Sequence, residues 1–191
     1  MRITKSLVTD FILFGSMLAL VLMPGGFIFA EEQPLLPGQT IEVNGTLDSV
    51  LYIPPEPSTW YLDEYWNLVG PGAFQIWALH GDIEGTYFKI CDYIIPYPEW
   101  LSGGGPFYYE GQATFTGYVL GKKTDWTADV EGAGDHPDFD VFEGTEEYVS
   151  TITSATRSLS HMRGDITTTG DFPEGPYTYS GELYFEIHKN K

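Results

Sequence analysis

The chain has 191 residues, of which 42% are hydrophobic and 16% aromatic, and its formal net charge is −18 at pH 7. Because a chain with this much negative charge repels nucleic acid and anionic membranes, we expect neither as a partner. Its 22 glycines, 13 prolines and many aromatic residues favour strands and turns over helices. The composition therefore predicts a single all-β domain.

Residues 1–30 have the layout of a secretory signal peptide. Arg2 and Lys5 precede an apolar run over residues 11–23, and Ala30 ends a segment suited to cleavage. An uncleaved membrane anchor is the alternative, although the apolar run is shorter than the ~20 residues that span a bilayer. We predict a secreted or extracytoplasmic protein, not stably inserted in the membrane once the signal is removed.

The exported part is predicted to begin with an extended leader, residues 31–40, and to continue as one domain, residues 41–191. A strand is expected over residues 41–50. The segment 53–66 is rich in proline, tyrosine and tryptophan. It has two interpretations: an aromatic surface that binds a ligand, or a flap that closes one end of the domain with its rings in the core.

Residues 75–80 and 85–92 are the next two predicted strands, followed by a long connection rich in proline and glycine. The second strand contains Cys91, the only cysteine of the chain. An internal disulfide is therefore excluded, and the apolar neighbours of Cys91 predict a buried, unreactive thiol.

The clearest pattern of the chain is a β-hairpin over residues 109–132. Alternate residues from Tyr109 to Val119 are apolar or glycine, and the same alternation resumes at Trp126. We predict a turn at residues 121–123 between the two strands. Glycine and alanine interleaved with aromatic rings on one face indicate a sheet that curls around a narrow interior, and therefore a small barrel.

The most acidic stretch, residues 134–143, is predicted to be a loop. Its carboxylates suit a hard cation, so calcium is the one cofactor that the chain suggests. The candidate ligands are Asp135, Asp138, Asp140 and Glu143. A solvated acidic loop without a metal explains the same residues, because their spacing does not follow the EF-hand pattern.

Three further strands are predicted, at residues 147–154, 157–170 and 177–187. The last repeats the alternation of the hairpin. The chain resembles the allene oxide cyclase-like barrel superfamily, which is related in fold to the dirigent proteins. Three segments carry the resemblance: Tyr109–Lys122, Val130–Gly134 and Leu159–Thr167. The resemblance covers about residues 85–187. It implies an eight-stranded antiparallel barrel with an interior that is either packed or holds an apolar ligand, and it supplies no catalytic residue.

The leading functional hypothesis is a non-enzymatic barrel that binds a small apolar or phenolic molecule. Two alternatives remain open: a cell-surface component that assembles through β edges and cation-bridged acidic loops, and an isomerase or cyclase, which needs a buried polar group facing its ligand. No serine-hydrolase or zinc motif is present. The oligomeric state is not predicted. The candidate ligand-lining residues, chosen on strands, are Trp77, Tyr87, Phe115, Trp126 and Tyr179.

Overall fold

The computed structural model describes residues 38–138, 143–172 and 175–186. The predicted signal peptide and most of the leader lie outside these residues. The described strands are β1 (Thr40–Ile53), β2 (Tyr61–Leu62), β3 (Leu68–Gly81), β4 (Ile83–Ile95), β5 (Gly105–Val119), β6 (Lys122–Asp138), β7 (Glu143–Ala155), β8 (Met162–Phe172) and β9 (Tyr177–Phe185). Helical structure consists of a 3₁₀ turn at Pro57–Thr59, helix α1 at Glu99–Ser102 and a 3₁₀ turn at Arg157–Leu159.

Eight of the strands close into an antiparallel barrel. From β3 to β9 each strand pairs with the next, and β1 pairs with both β9 and β3, which joins the two ends of the sheet. The short β2 is an extra strand on β3. The predicted small all-β barrel of about eight strands is confirmed. Closure leaves β2 as the one strand with an unpaired edge in the described part of the chain.

The predicted hairpin corresponds to β5 and β6, which pair without interruption from Gly105 to Val119. The turn, however, consists of Leu120 and Gly121, since Val119 is opposite Lys122. Both turn residues have positive φ, 48° and 76°, as a two-residue type I′ turn requires. The prediction therefore placed the start of the turn one residue too late: Leu120 takes the first turn position and Gly121 the second.

Aromatic rings lie over glycines of the neighbouring strand throughout the barrel. At each such glycine, a Cβ atom would collide with the ring of its cross-strand partner. The ring therefore occupies the space that a side chain at this position would need. This arrangement confirms that small residues make room for large ones inside the barrel. The pairs are Tyr109 with Gly132, Phe107 with Gly134, Tyr177 with Gly170, and Tyr179 with Gly45.

Three local expectations were wrong. Residues 134–138, predicted as a loop, continue strand β6. The strand predicted from Arg157 begins only at Met162, because a 3₁₀ turn occupies the intervening segment and Arg157 itself has a φ of 58°. In the segment 53–66 only the Trp60 ring packs against the core, whereas Tyr65 and Trp66 are 72% and 63% exposed.

No helix in the described part of the chain has the length and apolar character needed to cross a membrane.

Candidate functional site

The five residues predicted to line a ligand site all lie inside the barrel. Each of them is at most 3% exposed. Their rings pack against one another and against further core side chains. The Phe115 and Trp126 rings stack with centroids 5.0 Å apart, and the Tyr87 ring lies 5.6 Å from that of Trp126. The other two contact different groups: Trp77 meets Tyr177 edge-on at 4.6 Å, and the Tyr179 hydroxyl accepts the backbone N–H of Ile83 at 2.7 Å.

These rings fill most of the space that they enclose. An internal space bordered by Tyr87, Trp126 and Tyr179 has room for about one water molecule. Its other walls are formed by side chains of β1, β3, β7 and β8. The space beside Tyr87, Trp126 and Tyr179 is therefore packed in this conformation, and a ligand there would have to displace side chains.

A second group of interior residues is polar, and sequence reasoning missed it. Gln75 and Lys89 are fully buried and lie opposite each other on β3 and β4. Glu146, near the start of β7, is 3% exposed. Buried lysine and glutamate are rare, because removing a charge from water is costly unless a partner compensates. We call Lys89, Glu146, Tyr109, Tyr148 and Tyr177 the polar cluster.

Lys89 has aromatic rather than anionic neighbours. Its Nζ atom lies 3.8 Å from the centroid of the Tyr148 ring and 4.5 Å from that of Tyr109. It also donates a long hydrogen bond of 3.4 Å to the Tyr109 hydroxyl. No carboxylate of the described residues lies within ion-pair distance of Lys89. The rings therefore stabilise the ammonium group by cation–π contacts.

Glu146 has no strong hydrogen-bond donor. No hydrogen bond of good geometry within the described residues reaches either carboxylate oxygen or the hydroxyls of Tyr148 and Tyr177. Tyr177 lies close enough to Glu146, and Tyr148 to Thr168, for a weak hydrogen bond only. Burial, and in addition the charge of Glu146, raises the pKa of Tyr177 and of Tyr93. A buried carboxylate with no donor is a group that a native protein normally satisfies with water, an ion or a ligand.

Several other polar groups of the interior are satisfied by the chain itself. Tyr87 and Ser150 share a hydrogen bond of 2.8 Å between their hydroxyls. Gln75 donates to the Tyr93 hydroxyl at 3.4 Å and accepts from the indole of Trp77 at 3.3 Å. The indole N–H of Trp126, which is 2% exposed, has no acceptor among the described residues. The interior groups that lack a good hydrogen bond are therefore Glu146, Tyr148 and Tyr177 of the polar cluster and, outside it, Trp126.

The predicted calcium ligands are only partly described. Asp135 is exposed on β6. Asp140 lies outside the described residues, and for Asp138 and Glu143 only the backbone is described. Within the described residues, no group of three or more metal-binding side chains comes together. The proposed calcium site therefore stays a prediction.

Cys91 is buried on β4 at 1% exposure. Burial raises the pKa of its thiol to about 11, so almost no thiolate is present at neutral pH. We expect no measurable modification of Cys91 by a disulfide reagent while the barrel is folded, and complete modification in denaturant. Rapid labelling of the native protein at neutral pH would contradict the buried position.

The comparison with known proteins finds a likeness of fold. No family model matches it. No curated protein matches it either. A crystal structure of a protein of unknown function from the DUF3224 family of Shewanella oneidensis MR-1 aligns with a TM-score of 0.56 at 13% identity. The alignment covers 78% of this chain and 100% of that chain. The likeness supports the barrel fold, and it does not indicate an activity.

Proposed function

We propose that this protein is an exported, non-enzymatic barrel that binds a small apolar or phenolic molecule in its interior. The observation that supports the proposal is the buried Glu146 carboxylate, which no hydrogen bond of good geometry reaches, beside the Tyr148 and Tyr177 hydroxyls, which also have none. A ligand hydroxyl donates to Glu146, and the apolar part of the ligand packs against the tyrosine rings.

The chemistry of the polar cluster favours such a ligand over an anion or a bare hydrocarbon. A second anion beside Glu146 would be repelled at close range in a medium of low dielectric constant. A pure hydrocarbon would leave the carboxylate unsatisfied. A phenol or alcohol meets both requirements, because it is uncharged, has one strong donor and offers an apolar body. Binding requires interior side chains to move, since the space beside Tyr87 admits about one water.

Native mass spectrometry of the protein recovered from its own host tests the proposal. We expect a retained small-molecule adduct on the wild-type protein. In Glu146→Gln the adduct should be reduced about tenfold or more, since a hydrogen bond to a carboxylate contributes roughly 1.5–3 kcal/mol. The matched control is Glu147→Gln, because Glu147 is the next residue of β7 and is exposed. That variant should retain the adduct as the wild type does.

Two results would refute interior binding. One is a wild-type protein without any adduct, whose interior then holds water only. The other is an adduct that survives equally in Glu146→Gln, which would place the ligand elsewhere. Phenol added to the purified protein is a second probe: its effect on tryptophan fluorescence should saturate in the wild type and in Glu147→Gln, and should be lost in Glu146→Gln.

An isomerase or cyclase is the second candidate, and the same residue favours it. A buried carboxylate that faces a ligand can act as a general base or acid. The two candidates differ in what happens to the bound molecule. A binder returns the molecule unchanged after denaturation, whereas an enzyme supplied with its substrate releases an isomer of identical mass, which chromatography separates.

A further inference from the structure

Lys89 is a buried cation that the proposed binding of a phenol or alcohol does not use. Of the lysine, arginine, aspartate and glutamate side chains that the structure describes, only Lys89 and Glu146 are buried. An ammonium group has three N–H donors. Among the described residues the Tyr109 hydroxyl, at 3.4 Å, is the one oxygen that accepts a hydrogen bond from Lys89. Two strong donors are therefore left without an oxygen acceptor.

Lys89 and Glu146 face the same part of the interior. The Tyr148 ring centroid lies 3.8 Å from Lys89 Nζ, and Tyr148 follows Glu146 by two residues on the inward face of β7. Two such positions are ~6.6 Å apart along a strand. Burial is the main cause that raises the pKa of the Cys91 thiol, and both charges act on it too: Lys89 lowers that pKa and Glu146 raises it. The two charges are thus neighbours that do not form an ion pair within the described residues.

The two groups have opposite requirements. Glu146 needs a hydrogen-bond donor, and Lys89 needs an oxygen acceptor. Buried charged groups of native proteins normally have such partners. A molecule with a hydroxyl at one end and an oxygen acceptor at the other supplies both. An aromatic ring between the two ends suits a separation of about two residues along β7.

Charge balance decides the kind of acceptor. Lys89 and Glu146 together have no net charge, so an uncharged ligand leaves the interior balanced. A carboxylate or phosphate would add a buried charge beside Glu146, which is costly in a medium of low dielectric constant. A carbonyl oxygen accepts hydrogen bonds without a charge. We infer that the ligand is an uncharged hydroxy-carbonyl compound, whose hydroxyl donates to Glu146 and whose carbonyl oxygen accepts from Lys89. This inference rests on the proposed function.

Isothermal titration calorimetry of the protein produced by its own host, dialysed free of retained ligand, tests the inference with two probes. The probes are para-hydroxyacetophenone and para-ethylphenol, which have nearly the same shape. The first has a carbonyl group where the second has a methylene group. We expect the wild-type protein to bind the ketone about tenfold or more tightly, because a hydrogen bond from a charged donor contributes at least that factor. Without such a donor the ketone should bind more weakly, since its carbonyl loses hydrogen bonds to water.

Lys89→Met removes the ammonium group and keeps a long side chain beside the rings of Tyr109 and Tyr148. The preference for the ketone should disappear in this variant. Lys123→Met is the matched control, because Lys123 is exposed on β6, and it should keep the preference of the wild type. Glu146→Gln should weaken both probes by a similar factor, since both have the same hydroxyl. Circular dichroism checks the folding of each variant, and the comparison of the two probes on the wild-type protein needs no variant.

The possible failures can be told apart. A wild-type protein that binds para-ethylphenol as tightly as the ketone would overturn the role of Lys89, and the proposed function would stand. A preference for the ketone that persists in Lys89→Met would also overturn it, because another donor, such as the indole N–H of Trp126, would then meet the carbonyl. A wild-type protein that binds neither probe would overturn the proposed function, and this inference with it.

Discussion

Gly132→Val is expected to lower the free energy of unfolding by about 4 kcal/mol or more, a large share of the stability of an ordinary domain. A Cβ atom at Gly132 would collide with the ring of Tyr109, whose hydroxyl oxygen lies 2.7 Å from its position, and with Cβ of Tyr148, also at 2.7 Å. Tyr109 is 2% exposed, and its ring packs against those of Tyr93, Phe107 and Tyr148. Urea unfolding followed by tryptophan fluorescence measures the loss.

Ala133→Val is the matched control for this substitution. Ala133 is the next residue of β6 and is exposed on the outer face, where a β-branched side chain suits the strand. Its effect should stay within about 0.5 kcal/mol. If steric conflict with the ring is the cause, Tyr109→Ala should relieve part of the damage in Gly132→Val. Strictly additive losses would contradict that explanation.

The barrel could be predicted because its hairpin obeys local rules. The alternation of Tyr109, Gly111, Ala113 and Phe115 is a two-residue periodicity with one apolar face, and the glycines on that face indicated strong curvature. The partner of each glycine could not be predicted, because it depends on the register between strands. Register also decided the turn: the pairing of Val119 with Lys122 leaves only Leu120 and Gly121 between the strands.

The polar cluster was missed because periodicity does not show which face of a strand points inward. In β4, Phe88 and Ile90 alternate with Tyr87, Lys89 and Cys91, so each face contains apolar residues. The lysine would ordinarily be assigned to the surface. Lys89 instead points inward because the interior offers the rings of Tyr109 and Tyr148, which come from β5 and β7. Glu146 was hidden among other acidic residues. It and the exposed Glu147 are consecutive on β7 and point to opposite faces of the sheet, and the sequence does not show which of the two points inward.

The barrel is expected to unfold steeply as the pH rises above about 10. Burial raises the pKa of seven tyrosines from their ordinary value near 10, so folding keeps these hydroxyls protonated. The stabilisation is fully present below pH 10, and it is lost as the pH rises because only the unfolded chain ionises there. Each tyrosine contributes a slope of up to ~1.4 kcal/mol per pH unit. The seven are Tyr52, Tyr87, Tyr93, Tyr109, Tyr148, Tyr177 and Tyr179, the last with a pKa of about 12.

Tyrosinate absorbance and far-ultraviolet circular dichroism, recorded together during an alkaline titration, measure this effect. These seven tyrosines should ionise in the same transition that removes the β structure. Tyr148→Phe keeps the ring beside Lys89 and removes a buried hydroxyl that has no hydrogen bond of good geometry, so it should shift the transition to higher pH. Tyr184→Phe, a change at a tyrosine that is 47% exposed, should leave the transition in place. Ionisation of all the tyrosines near pH 10 in a barrel that stays folded would show that the interior admits solvent freely.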